Sequence, residues 1–245
     1  MQSAGAGDIS FLNRGGSISN LGVFAEPFAN FLPGEVNAYA AAGSIFVDNV
    51  MSMMPTPRGT LRLVAAKSVS PLGGAGTLPQ IIQLDIDPAL LPVLGNAFAH
   101  PSSPSAQNAN TQALLDRLPL ERDDRNRRIY DHATVPVHTG DPVENQIVAR
   151  DGDISTIEFI LSKRAGFVAG RDLVDLTVSV QNIGLTDVSL FSAGRDIVMN
   201  TPRVVDVGRI QTNSGIGISI AGAGFAQFLA GRDINLGTSD GIRSI

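Results

Sequence analysis

The chain repeatedly alternates apolar and polar residues with a period of two. Leu176, Val178 and Val180 fall on one face, and Thr177, Ser179 and Gln181 fall on the other. Ile216, Ile218 and Ile220 alternate with Gly217 and Ser219. The same holds for Leu61, Leu63 and Ala65 with Arg62 and Val64, and for Val36, Ala38 and Ala40 with Asn37 and Tyr39. Successive side chains of a strand point to opposite faces, so this is the strand period and not the helix period. The pattern predicts short strands, each with one buried face.

These stretches flank a recurring pentapeptide. It reads Ala169-Gly170-Arg171-Asp172-Leu173, Ala193-Gly194-Arg195-Asp196-Ile197 and Ala230-Gly231-Arg232-Asp233-Ile234, at spacings of 24 and 37 residues. Looser copies are Ala6-Gly7-Asp8-Ile9, Ala42-Gly43-Ser44-Ile45, Ala65-Ala66-Lys67-Ser68-Val69 and Arg150-Asp151-Gly152-Asp153-Ile154. The unit reads as strand, small-residue corner, strand. Ala fits inside a tight corner, Gly permits a positive φ, Arg and Asp face water, and Ile or Leu opens the next inward-facing strand. A repeat of roughly two dozen residues built from short strands predicts a β-solenoid. One coil cannot bury its own apolar face. Stacked coils bury a continuous core and pair their strands at about 4.8 Å. The wider spacing predicts a loop within one longer coil.

The middle of the chain departs from this pattern. From Asp87 to Asn145 the alternation stops, and proline stands at 88, 92, 101, 104, 119, 136 and 142. Pro88 to Leu94 and Asn110 to Leu118 read as short helices, the second capped by Asn110 or Thr111. His100 to Asn110 reads as a flexible loop, and Glu121 to Arg128 as a solvated mixed-charge run. The expected organisation is β-helix coils over 1–86, an insertion over 87–145 bulging from one coil, and β-helix coils with the repeated corner over 146–245.

Composition narrows the picture. Hydrophobic residues make up 43% of the chain but aromatic ones only 5%, with no Trp, so the expected core is Val, Ile, Leu and Ala. A net charge of -5 gives no global attraction to nucleic acid. The only lysines are Lys67 and Lys163; Arg supplies the remaining basic residues. With no cysteine, disulfides, thiolate metal sites and Cys nucleophiles are excluded, and export as an unfolded chain meets no premature disulfide. Met1 to Leu12 carries no signal peptide. No apolar run is long enough to span a bilayer as a helix.

Gly237-Thr238-Ser239-Asp240-Gly241 matches the G-x-S-x-G nucleophile elbow, but no His follows it, and a solenoid turn is expected. Gly73-Gly74-Ala75-Gly76-Thr77-Leu78 begins like a calcium-binding nonapeptide, yet Leu78 stands where the ligating Asp must be. His100, His132 and His138 lack metal-ligand spacing and are expected in water-exposed loops. Asp172, Asp196 and Asp233, with Asp151, Asp153 and Asp175 nearby, are the candidate carboxylates. Paired carboxylates on a β-helix flank can do glycosidase or lyase work. Here each repeated Asp stands beside Arg171, Arg195 or Arg232, which predicts a charge-balanced ladder instead. No catalytic, cofactor-binding or metal-binding residue is therefore assigned, and no cofactor is expected.

The three repeated corners resemble the recurring unit of filamentous-haemagglutinin-like exoproteins. So does the longer stretch Phe228-Leu229-Ala230-Gly231-Arg232-Asp233-Ile234-Asn235-Leu236-Gly237-Thr238-Ser239-Asp240-Gly241-Ile242, and Ile147 to Ile154 is similar to their coil starts. The resemblance covers 147–245 most fully and extends over 4–86. It implies a right-handed parallel β-helix, export by two-partner secretion through an outer-membrane transporter, and adhesion at the cell surface to a host-surface glycan or protein. It implies no catalytic residue. The family's amino-terminal secretion domain has Asn-Pro motifs, and no Asn-Pro pair occurs here, so the chain reads as an internal or late segment or a truncated product. The alternative reading is a carbohydrate-active β-helix enzyme, a polysaccharide lyase or glycoside hydrolase, with the insertion walling a cleft.

Overall fold

The computed structural model describes residues 8–13, 18–21, 30–48, 50–72, 78–85, 120–122, 128–130, 135–199, 204–207, 210–213 and 216–245. The described residues are all-β, and they form a parallel β-helix. Each coil contributes one strand to each of three sheets. The first coil is β1 (Asp8–Asn13), β2 (Ile18–Leu21) and β3 (Asn30–Leu32). The second is β4 (Glu35–Ala40), β5 (Ile45–Val47) and β6 (Val50–Met53), and the third β7 (Leu61–Ala65), β8 (Val69–Pro71) and β9 (Gln80–Gln83).

An antiparallel pair, β10 (Leu120–Arg122) and β11 (Arg128–Tyr130), separates the third coil from the fourth in sequence. The fourth coil is β12 (Asn145–Ala149), β13 (Ile154–Ser155) and β14 (Glu158–Leu161). The fifth is β15 (Ala165–Ala169), β16 (Leu173–Val174) and β17 (Thr177–Asn182). The sixth holds β18 (Val188–Ala193), β19 (Ile197–Val198), an antiparallel pair of β20 (Val204–Val207) and β21 (Ile210–Asn213), and β22 (Gly217–Gly222). The seventh is β23 (Phe225–Ala230), β24 (Ile234–Asn235) and β25 (Ile242–Ser244). The extra length of the sixth coil therefore lies in the β20–β21 pair, between the second and third sheets.

Register turns the sequence repeat into columns of like residues. Ala40, Ala65, Ala149, Ala169, Ala193 and Ala230 stack at the end of the first sheet. Ile45, Val69, Ile154, Leu173, Ile197 and Ile234 stack at the start of the second. Ile197 and Met199 are buried, as their inward positions require. The core also holds an aromatic column that the low aromatic content had not suggested. Phe167, Phe191 and Phe228 lie in register, with ring centroids 5.0 and 4.8 Å apart and nearly parallel planes. Phe159 meets Phe167 edge-on at 5.1 Å. Few aromatics suffice, because one ring per coil at one position makes a continuous stack.

Two of the looser copies are displaced from their expected places. Asp8-Ile9 is not a corner; it opens β1 and pairs with Glu35-Val36. In the second coil the column alanine is Ala40 and not Ala42, because that corner holds one more residue than the pentapeptide before reaching Ile45. The expected helices at 88–94 and 110–118, the loop at 100–110 and the turn at 73–77 lie outside the described residues. Glu121, Arg122 and Arg128 of the charge run lie in the antiparallel pair β10 and β11.

Candidate functional site

The repeated corners build a ladder that runs between coils. Asp172 Oδ1 accepts the Arg195 Nε–H at 3.1 Å, and Oδ2 accepts from Arg195 Nη2. Asp172 Oδ1 also accepts the Asp196 backbone N–H at 3.1 Å. One coil on, Asp196 accepts from Arg232 Nε at 3.1 Å and from Nη2, and takes the Asp233 backbone N–H at 3.2 Å. One coil back, Asp153 accepts the Asp172 N–H at 3.0 Å, with Arg171 Nε at 3.6 Å. Each carboxylate thus pairs with the arginine of the following coil and not with its own sequence neighbour.

This geometry refines the expectation that Arg and Asp both face water. The Asp172 and Asp196 side chains are largely covered, at 14% and 17% exposure, while Arg195 and Arg232 arch over them. The Arg195 hydrogen bond holds the Asp172 carboxyl below its ordinary range; slight burial opposes it, and the Asp196 N–H adds to it. A carboxylate held in this way is a poor proton donor or acceptor near neutrality. Asp233, in the seventh coil, is exposed and receives no such rung among the described residues.

The corner glycines have a different reason from the expected positive φ. Gly170, Gly194 and Gly231 have none. A Cβ on Gly194 would lie 2.2 Å from the Gly170 carbonyl oxygen, and one on Gly231 would lie 2.1 Å from that of Gly194. Close stacking of the coils requires glycine there. Positive φ falls instead at the next corner, on Thr156 and Asp175, which follow β13 and β16 in adjacent coils.

Gly237 to Gly241 forms a turn in which Gly241 N–H donates to Ser239 Oγ at 3.1 Å, and strand β25 follows, with no helix to complete an elbow. Asp151 is exposed and pairs with Arg150. His100 and His132 lie outside the described residues. His138 overturns its expectation: it is 2% exposed and sits inside a polar cluster.

That cluster forms where residues 135–144 fold against the third and fourth coils. Lys163 Nζ donates to Asp141 Oδ2 at 2.6 Å and to Thr60 Oγ1 at 3.0 Å. Asp141 Oδ1 accepts the Val143 N–H at 3.0 Å, and Asp85 Oδ1 accepts the Val137 N–H at 2.8 Å. His138 Nδ1 lies 3.6 Å from Asp141 Oδ2, and neither ring nitrogen makes a hydrogen bond of full geometry. Burial lowers the His138 pKa, and Lys163 lowers it further against the pull of Asp141 and Asp85. Burial also lowers the Lys163 pKa, which Asp141 partly restores. At Asp141 burial pushes upward but is outweighed by the hydrogen bonds from Lys163 and Val143, so its carboxyl sits below the ordinary range.

Below this cluster, buried Asn145 donates to Gln83 Oε1 at 2.8 Å and accepts the Leu61 N–H at 2.9 Å, tying the fourth coil to the third. Sequence reasoning missed every member of this group except His138, which it misplaced. The one available signal was the rarity of lysine: of two in the chain, one is the buried Lys163.

Among the described residues, no group of three His, Cys, Asp or Glu is arranged to hold a metal ion, and no helix is long and apolar enough to cross a membrane. No family model, no curated protein and no solved structure matches the chain.

Proposed function

We propose that the chain is a structural and adhesive β-helix segment of a large secreted or cell-surface exoprotein of the filamentous-haemagglutinin-like kind, without catalytic activity. The observation that carries this reading is the rung between coils. Asp172 and Asp196, the carboxylates best placed by repetition to act as a catalytic pair, are each engaged by an arginine and a backbone N–H of the next coil. Their chemistry is spent on holding coils together. In the seventh coil Ile234 and Ile242, in register with buried Ile197 and Ile218, are exposed.

The third sheet supports the adhesive part. Its outward positions align from coil to coil: Glu158, Thr177 and Gly217 in one column, and Ile160 and Ser179 in the next, where Ser219 lies buried and accepts from Arg243 Nε. Aligned outward columns offer many weak contacts, and such a surface gains strength from multiplicity rather than from one tight pocket. The partner in this reading is a host-surface glycan or protein. Export of the full-length exoprotein runs through an outer-membrane transporter, and a chain without cysteine suits passage in the unfolded state.

The test is retention of the purified chain on immobilised acidic and neutral polysaccharides, as a free protein and as a dense array on beads. The reading expects weak retention of the free chain and a gain of about a hundredfold or more in the array. Equal retention in both forms, or release of reducing ends, would overturn it.

A further inference from the structure

The buried pair Lys163–Asp141 is set up for a covalent step. Its side chains are 3% and 1% exposed, and the amine nitrogen lies 2.6 Å from Oδ2, with the carboxyl carbon one bond beyond. Burying two charges carries a desolvation cost that their attraction only partly offsets. Condensing them to a neutral amide removes both charges from the dry site. Water is the product of that reaction, and its exclusion favours the amide.

Each requirement of the chemistry has a residue in place. The nucleophile must shed a proton, which lysine can do and arginine cannot. The chain has only two lysines, and one of them stands at this position. Thr60 Oγ1 accepts from Nζ at 3.0 Å and orients it. The Val143 N–H points at Asp141 Oδ1, where negative charge would develop during attack. His138 Nδ1 lies 3.6 Å from Oδ2 and is placed to carry a proton.

We propose that Lys163 and Asp141 condense spontaneously into an intramolecular isopeptide bond, with His138 as the proton shuttle. One proton passes directly from Nζ to Oδ2 along their contact, giving the neutral amine and acid. Nζ then attacks Cγ, forming the N–C bond. His138 takes a second proton from nitrogen and delivers it to the departing Oδ2 hydroxyl as the C–O bond breaks. The three ammonium protons are thereby accounted for: one stays on the amide nitrogen and two leave in the water. No oxidant, reductant or cofactor enters.

The bond would join the segment just before β12 to the turn after β14, a separation of 22 residues in sequence. It would close the fourth coil into a covalent ring at the point where the stack resumes after residue 85. In a cysteine-free chain it would do the work of a disulfide without a redox requirement.

Intact-mass measurement of the purified full chain decides the matter. The expected mass is one water below the sequence mass, and proteolysis should give one branched peptide joining the Asp141 and Lys163 regions. Lys163→Arg should restore the full sequence mass. His138→Gln should lower the condensed fraction of freshly made protein. A wild-type chain at its full sequence mass overturns the proposal. So does a loss of water that persists in Lys163→Arg, since it would place the dehydration elsewhere. The branched peptide of the wild type decides even if a variant fails to fold.

Discussion

A methyl group on Gly194 would stand 2.2 Å from the carbonyl oxygen of Gly170, closer than any tolerated contact. Gly194→Ala must therefore separate two coils or bend the corner, at a cost of about 1–3 kcal/mol. Thermal melting checks this, and an unchanged midpoint would show that the coils do not stack this closely. His138 gives a second residue-level expectation. Its folded pKa lies below 6.5, chiefly through burial. The unfolded chain then binds more protons between the two values, so stability is full above about pH 6.5 and declines as pH falls toward the folded pKa. Melting of wild type against His138→Gln should show this acid limb in the wild type alone. A midpoint flat from pH 7 to 5 in both would contradict it. Sequence could place Ile197, because a two-residue period and a corner define an inward position. It could not place His138, whose burial comes from residues 135–144 folding over Asp85 and Thr60, a long-range contact without a local pattern.

At the scale of elements, the short strands and the corner were legible because the same constraint recurs in successive coils and leaves the same residues behind. The exact register was less so. Corners of different length shift the alanine column to Ala40, and nothing in Ala40-Ala41-Ala42-Gly43 says which alanine turns inward until Ile45 is paired with Val69. The pairing of rungs was likewise hidden. Sequence sets Arg195 beside Asp196, whereas stacking sets it on Asp172. A double-mutant cycle separates the two. The coupling of Arg195→Ala with Asp172→Ala should be on the order of 0.5–1 kcal/mol, and that of Arg195→Ala with Asp196→Ala near zero. The reverse order would mean that the rungs lie within coils.

For the whole molecule, the stack of parallel coils makes the corner carboxylates Asp153, Asp172 and Asp196 part of a neighbouring coil's structure, and the functional reading depends on that. The enzyme alternative needs the same carboxylates free in a groove. The two accounts separate in one experiment on Asp172→Asn, Asp196→Asn and Asp233→Asn, following the melting midpoint and the release of reducing ends from acidic and neutral polysaccharides. Asp172 and Asp196 each hold a rung, and Asp233 holds none among the described residues. The account predicts a lowered midpoint for the first two variants, an unchanged one for the third, and no release of reducing ends by any form of the protein. Turnover by the wild type that disappears in Asp196→Asn, with its melting midpoint unaltered, would contradict it.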